Sequence, residues 1–239
     1  PGRTLMKFWT AAATAAMLTL AACSQPAEAP APAPEAAIPV NAPSGEYALD
    51  PHHTIVTVSA RHFGLSNYAL RFNTVSGTLN FNAEDPTQST IEATVALSSI
   101  DTTYAGERNF NEELLNSAWL DGAQFPTATF RSTSVERTGP NTARVTGDIT
   151  IKGVTRPLTL DVTYNASHAT HPMGFPISLI GFSARGEILR SQFGVNELMA
   201  NAGANDGVAD AVEIRIEAEF TRPAESATPA PAQPREPVN

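Results

Sequence analysis

The chain has 239 residues, 15 Lys and Arg against 24 Asp and Glu for a net charge of −9, and one cysteine. A polyanion is repelled by nucleic acid and by anionic lipid surfaces, which argues against either as a direct target, and a lone thiol forms no internal disulfide. The fold must therefore hold by packing alone.

Residues 1–22 read as a signal segment. Lys7 supplies a small positive region, and the apolar run from Phe8 to Leu20 is too short to span a bilayer comfortably. Pro1 to Leu5 precede Met6, the first methionine and the expected start. Leu20-Ala21-Ala22-Cys23 resembles the lipobox of bacterial lipoproteins. That resemblance implies that Cys23 is lipidated and becomes the mature N-terminus. Ser24 after it resembles lipoproteins sent on to the outer membrane, with the protein facing the periplasm.

Residues 23–45 hold the cysteine and a Pro/Ala-rich linker with almost no large apolar side chains, a composition that favours an extended tether. Residues 223–239 repeat that composition as a disordered tail. Residues 46–222 have the length of one domain.

Within that domain, segment after segment alternates apolar and polar residues with the period of a strand that has one covered face. Val75, Gly77, Leu79 and Phe81 form one set, and Ile91, Ala93, Val95 and Leu97 another. Ala143, Val145, Gly147, Ile149 and Ile151 form a third, followed by Leu158, Leu160, Val162 and Tyr164. In Val212–Phe220 the apolar positions oppose Glu213, Arg215, Glu217 and Glu219. With His53–Phe63, Thr127–Glu136 and Ile177–Arg190, about eight strands are predicted, separated by turns at Gly139-Pro-Asn, Lys152-Gly153 and residues 201–207. The one helix expected runs from about Glu107 to Leu120, where Phe110, Leu114 and Ala118 stack beside Leu115 and Trp119. The prediction is an all-β fold, an eight-stranded antiparallel barrel or sandwich with the helix plugging or capping it. Small inward residues, Ala93, Ala143, Gly147, Ala184 and Gly186, would leave room in a lumen.

Several motifs, taken in order, resemble the YceI-like family, lipocalin-like polyisoprenoid-binding proteins. They are Tyr47-Ala-Leu-Asp50-Pro-His-His53; Val58-Ser-Ala-Arg-His62-Phe-Gly64 with Phe72 and Gly77; Leu114–Asp121 with Phe125–Ser132; Gly147–Leu158; and Arg190-Ser-Gln-Phe193-Gly194. The resemblance implies a lipocalin-like barrel whose apolar lumen takes an amphipathic chain. Where the family often has Arg-Asp and His-Leu in the helix, this chain has Arg108-Asn109 and Leu114-Leu115, which puts in doubt a polar head-group contact at those positions.

The expected ligand wall is Phe63, Phe72, Phe81, Phe110, Leu114, Trp119, Phe130, Phe182 and Phe193, with His62 at a polar rim; ordinary core packing is the competing reading for each aromatic. The expected partner is an isoprenoid or quinone-like lipid. A fatty acid or fatty amide carrier and a ligand-free interaction module in envelope stress are the alternatives. No cofactor and no metal are expected. His52 and His53 are adjacent and face opposite sides if extended, and His168 and His171 lack neighbouring acidic or thiol ligands in sequence. Nothing resembles a nucleophile–base–acid set, a phosphate loop or a metalloprotease helix, so the chain reads as a binder and not an enzyme. The membrane is reached through the anchor, and the sequence leaves a homodimer open.

Overall fold

The computed structural model describes residues 36–224. They form β1 (Gly45–Leu49), β2 (Ile55–His62), β3 (Ser66–Phe72), β4 (Val75–Phe81), β5 (Thr90–Ala96), β6 (Ile100–Asp101), α1 (Phe110–Leu114), β7 (Thr127–Arg137), β8 (Thr142–Ile151), β9 (Val154–His168), β10 (Ile177–Leu189) and β11 (Val208–Pro223). Eight strands close a ring in the order β1-β4-β5-β7-β8-β9-β10-β11, with β11 returning to β1. All these pairings are antiparallel. The remaining strands lengthen the same ring. β2 follows β1 along the edge of β11, from Leu49 opposite Phe220 to Ile55 opposite Glu217. β3 pairs with β2 and leads into β4, while β6 continues β5 and pairs with Phe72 and Arg71 of β3.

Alternation explains the wall. In β9, Leu158 and Leu160 are buried while the alternating Thr159 and Asp161 are exposed. In β11, Ile214, Ala218 and Phe220 are buried while Arg215, Glu217 and Glu219 face water. On the outer face, Arg144 lies between Glu136 and Asp161 of the flanking strands, and Arg131 reaches Glu92. Such exposed pairs favour the register but contribute at most about 1 kcal/mol each. Register is also set by the β8–β9 turn, where Lys152 and Gly153 take φ of 51° and 73°. Two left-handed residues match the twist of the strands they join, and Ile151 pairs directly with Val154.

The two ends of the barrel differ. One, the helix end, carries the β2–β3 hairpin, residues 102–126 with α1, the β8–β9 turn and the loop 190–207. The other, the strap end, carries the β4–β5, β7–β8 and β9–β10 connections, and residues 36–43 lie across it.

Two expectations are corrected here. The helix spans only Phe110–Leu114. Asn109 caps it through Glu112 N–H, but Asn116 Oδ1 then accepts from the main chain of Ala118 and Trp119 and Asp121 adopts φ of 51°, so the chain leaves the helical path within two turns. The apolar stripe still packs inward through Phe110, Leu114, Leu115, Trp119 and Leu120. The linker, in turn, is bound to the barrel from residue 36 onward. Asn141 Oδ1 accepts from Ile38 N–H, Ser167 Oγ accepts from Asn41 and Ala42 N–H, and the Tyr164 hydroxyl donates to Pro39 C=O. At the other boundary, β11 runs to Pro223, and Ala224 N–H donates to Pro176 C=O.

Candidate functional site

The inward side chains enclose one continuous cavity of about 870 Å³ that runs from the helix end to the strap end. Its middle is apolar throughout, walled by Val56, Val58 and Leu70 on one side, Leu79, Ile91 and Val95 next, and Ile149, Leu160, Val162, Ile214 and Ile216 across the ring. That volume is in the upper range for small-molecule sites, and a long apolar tube with polar groups only at its ends suits a flexible hydrocarbon.

Nine of the ten side chains expected to form the wall border this cavity: His62, Phe72, Phe81, Phe110, Leu114, Trp119, Phe130, Phe182 and Phe193. Phe72, Phe81, Leu114 and Phe193 are buried and double as core, whereas Phe130 and Phe182 are half-buried and present a face to the lumen. Phe63 is the exception. It occupies the β2–β3 turn with φ of 49°, which aims it out of the wall, and its ring packs on His62 at 4.7 Å instead. Cys23, the expected anchor, lies outside the described residues.

The small inward residues divide into two kinds. Ala93, Ala143 and Ala184 border the cavity and leave space in it. Gly147 and Gly186 are already occupied by their neighbours. A Cβ on Gly147 would stand 2.6 Å from Phe130 Cζ and closer still to the Arg131 carbonyl oxygen, and one on Gly186 would stand 2.7 Å from Leu160 Cδ2. These glycines receive neighbouring side chains rather than ligand, so the room expected at them is taken.

Polar groups cluster at the two mouths. At the helix end His62 stands beside Tyr68, whose hydroxyl donates to Thr102 C=O, and Arg108 pairs with Glu113. Arg190 is buried there, its guanidinium donating to the carbonyls of Val195, Glu197, Val208 and Ala209 at 2.8–3.0 Å and lying 5.8 Å from the Trp119 ring. Burial pushes its pKa down, opposed by the charges of Asp210 and Glu197; a guanidinium stays charged regardless. At the strap end Ile38 and Val40 border the cavity beside Arg137 and Asn141. Two of these features were not anticipated in the sequence. Arg190 directly follows the apolar pair Ile188-Leu189, a visible oddity, but nothing local tells which carbonyls it serves. The strap's only signal is the return of Ile38 and Val40 after an Ala/Pro tract.

One group of metal-type ligands occurs among the described residues. Asp50, His53 and Glu219 place a donor atom each within 4.8 Å of one another, at the break between β1 and β2 and away from the cavity lining. His53 Nδ1 is 2.9 Å from Asp50 and 4.0 Å from Glu219. The Asp50 hydrogen bond and charge raise the His53 pKa; burial pushes Asp50 up, but hydrogen bonds from His53 and His52 N–H outweigh it and lower its pKa. An ion pair across the strand break accounts for the arrangement. His171 Nδ1 is engaged locally, accepting from Met173 N–H.

Barrel and lumen together define the class: a lipocalin-like β-barrel with an apolar through-cavity. The chain belongs to the YceI-like family, whose domain model matches residues 47–220. It is 32% identical over 157 residues to Protein YceI of Salmonella arizonae, covering 65% of this chain and 78% of that one. Against a UPF0312 protein of Shewanella sp. (strain W3-18-1) it is 34% identical over 125 residues, spanning 52% of this chain and 64% of that relative. Among solved structures, BcnA of Burkholderia cenocepacia superposes with a TM-score of 0.60 at 24% identity, over 72% of this chain and 98% of BcnA. A polyisoprenoid binding domain from Saccharophagus degradans superposes with a TM-score of 0.52 at 13% identity, over 74% and 98% of the two chains. At those identities the likeness is one of fold.

Proposed function

We propose that the chain is a lipid-anchored protein of the bacterial envelope, held at Cys23, facing the periplasm from the outer membrane, that keeps an isoprenoid or quinone-like lipid in its lumen for transport, storage or sequestration. The observation that carries this reading is the cavity, about 870 Å³ and apolar along its whole middle. At about 0.8 kcal/mol per buried CH₂, a few isoprene units outweigh the costs of association and reach micromolar affinity. Retention by burial needs neither a catalytic group nor a cofactor. The relative from Saccharophagus degradans described as polyisoprenoid binding supports a ligand of this type.

A saturated fatty acid would use the same tube, with its carboxylate at a mouth. Native mass spectrometry of the purified chain with added polyprenol and, separately, palmitate distinguishes the two. The expected spectrum has a one-to-one polyprenol adduct that palmitate does not displace. No adduct with either lipid would contradict the carrier reading, and a palmitate adduct alone would assign the lumen to fatty acids.

A further inference from the structure

Among the described residues, the large apolar side chains that reach solvent gather at the two ends of the barrel, leaving the wall polar. At the strap end they are Ile38, Val40, Met173 and Phe175, the latter two 78% and 52% exposed. Met173 and Phe175 belong to the β9–β10 tip, residues 169–176, and neither borders the cavity. The tip is an ordered turn. His171 N–H donates to Ile177 C=O, Gly174 N–H to His171 C=O and Met173 N–H to His171 Nδ1, while the Phe175 ring packs edge-on against His171 at 5.0 Å. It thus holds two apolar side chains out to water in a fixed arrangement.

Charge singles out this tip. The chain carries −9, yet residues 168–176, His-Ala-Thr-His-Pro-Met-Gly-Phe-Pro, contain no carboxylate and two histidines. The helix end exposes Leu65, Leu198 and Tyr104, and its tip Phe63-Gly64-Leu65 also lacks a carboxylate. That tip, however, packs against the loop that carries Asn205 and brings Glu197 and Asp206, whereas the acids of the strap end, Glu84 and Asp85, lie on the β4–β5 connection across the ring from residues 168–176. The chain's course points the same way: the strap enters across this end, and Ala224 leaves it hydrogen-bonded to Pro176, so both flanking segments, residues 1–35 and 225–239, join the barrel here.

We propose that the strap end is a membrane-docking face, with Met173 and Phe175 entering the interfacial layer of a lipid bilayer and the mouth bordered by Ile38 and Val40 turned toward it. Apolar side chains on an uncharged turn gain by leaving water at the acyl boundary, and the polar wall keeps the rest of the barrel out. The inference deepens the carrier reading, on which it rests for its purpose: a lipid would pass between bilayer and lumen without crossing bulk water.

Because Cys23 is the only cysteine, a single thiol can be moved at will. Full-length chains Cys23→Ser/Phe175→Cys and Cys23→Ser/Leu65→Cys, each labelled with an environment-sensitive fluorophore, are mixed with vesicles of phosphatidylethanolamine and phosphatidylcholine. The expected result is a blue shift at position 175, quenched by brominated acyl chains, and none at 65. Adding Met173→Asp should weaken the vesicle titration at 175 by tenfold or more while leaving polyprenol uptake in native mass spectra unchanged. A shift at 65 equal to or larger than that at 175, or none at either, overturns the proposal. So does a shift at 175 that grows with protein concentration in the absence of vesicles, which would identify a second copy as the occupant. Loss of polyprenol uptake with the shift at 175 intact would instead strike the carrier reading and leave docking standing.

Discussion

Arg190 is 6% exposed, and its guanidinium spends its hydrogen bonds on four main-chain carbonyls, Val195 and Glu197 in the loop 190–207 and Val208 and Ala209 at the start of β11. Val208 C=O keeps Ala200 N–H as a donor, but truncation would take from the Val195, Glu197 and Ala209 carbonyls the donor that Arg190 gives them, and a carbonyl left buried and unpaired costs about 1–3 kcal/mol. Some relaxation toward water lowers the total, so Arg190→Ala should destabilise the fold by about 3 kcal/mol in urea unfolding, with Arg190→Lys recovering only part because an ammonium cannot span the same fork of acceptors. A loss below about 0.5 kcal/mol would mean that the loop 190–207 closes without it. The inward facing of Phe72, Phe81, Phe130 and Phe182 is legible in the sequence because strand period two fixes which side a residue faces, and all four border the cavity. Phe63 was misplaced because a left-handed turn residue escapes that period. At Gly147 the sequence predicts open space, since it cannot say whether a neighbour's ring already fills the gap above a glycine; here Phe130 does.

Among the elements, the strap behaves least like its composition. Ala/Pro-rich sequence predicts a free tether, yet Asn141 and Ser167, both buried, hold residues 36–42 on the barrel. Asn141→Ala should release Ile38, and Ser167→Ala should release Asn41 and Ala42, each at a cost of about 1 kcal/mol per hydrogen bond. Hydrogen exchange should then speed up at Ile38 in the first variant and at Asn41 and Ala42 in the second, with β8 and β9 protection unchanged; exchange as slow as in the parent would show that packing alone fixes the strap. The long strands are readable from alternation; the eight predicted segments leave out β1, a five-residue strand that closes the ring, and β3, which follows β2 after only a tight turn although Tyr68, Leu70 and Phe72 alternate. The apolar stripe continues past Leu114 and so predicts a longer helix, whereas the Asn116 side chain competes for the main chain and ends the helix.

At the scale of the whole molecule, the proposed carrier function requires that the lumen take a ligand and not be merely a loosely filled core. Ring closure through β11, with register breaks only at Gly181/Phe182 and Ser132/Ser134 of the ring's pairings, and a wall of alternating faces leave the interior set by side-chain size at a few positions. Gly147 and Gly186 cannot serve as test positions, because a Cβ there collides with the wall itself. Ala184 can: it borders the cavity between Val162 and Ile216, and a larger side chain there has empty space to enter. The most direct measurement is a polyprenol titration of the parent chain and Ala184→Phe side by side, with circular dichroism and thermal unfolding as controls. A ligand-binding lumen gives one site of about micromolar Kd in the parent and at least tenfold weaker binding in Ala184→Phe, with both chains folded. Equal affinity in two equally folded chains would contradict it.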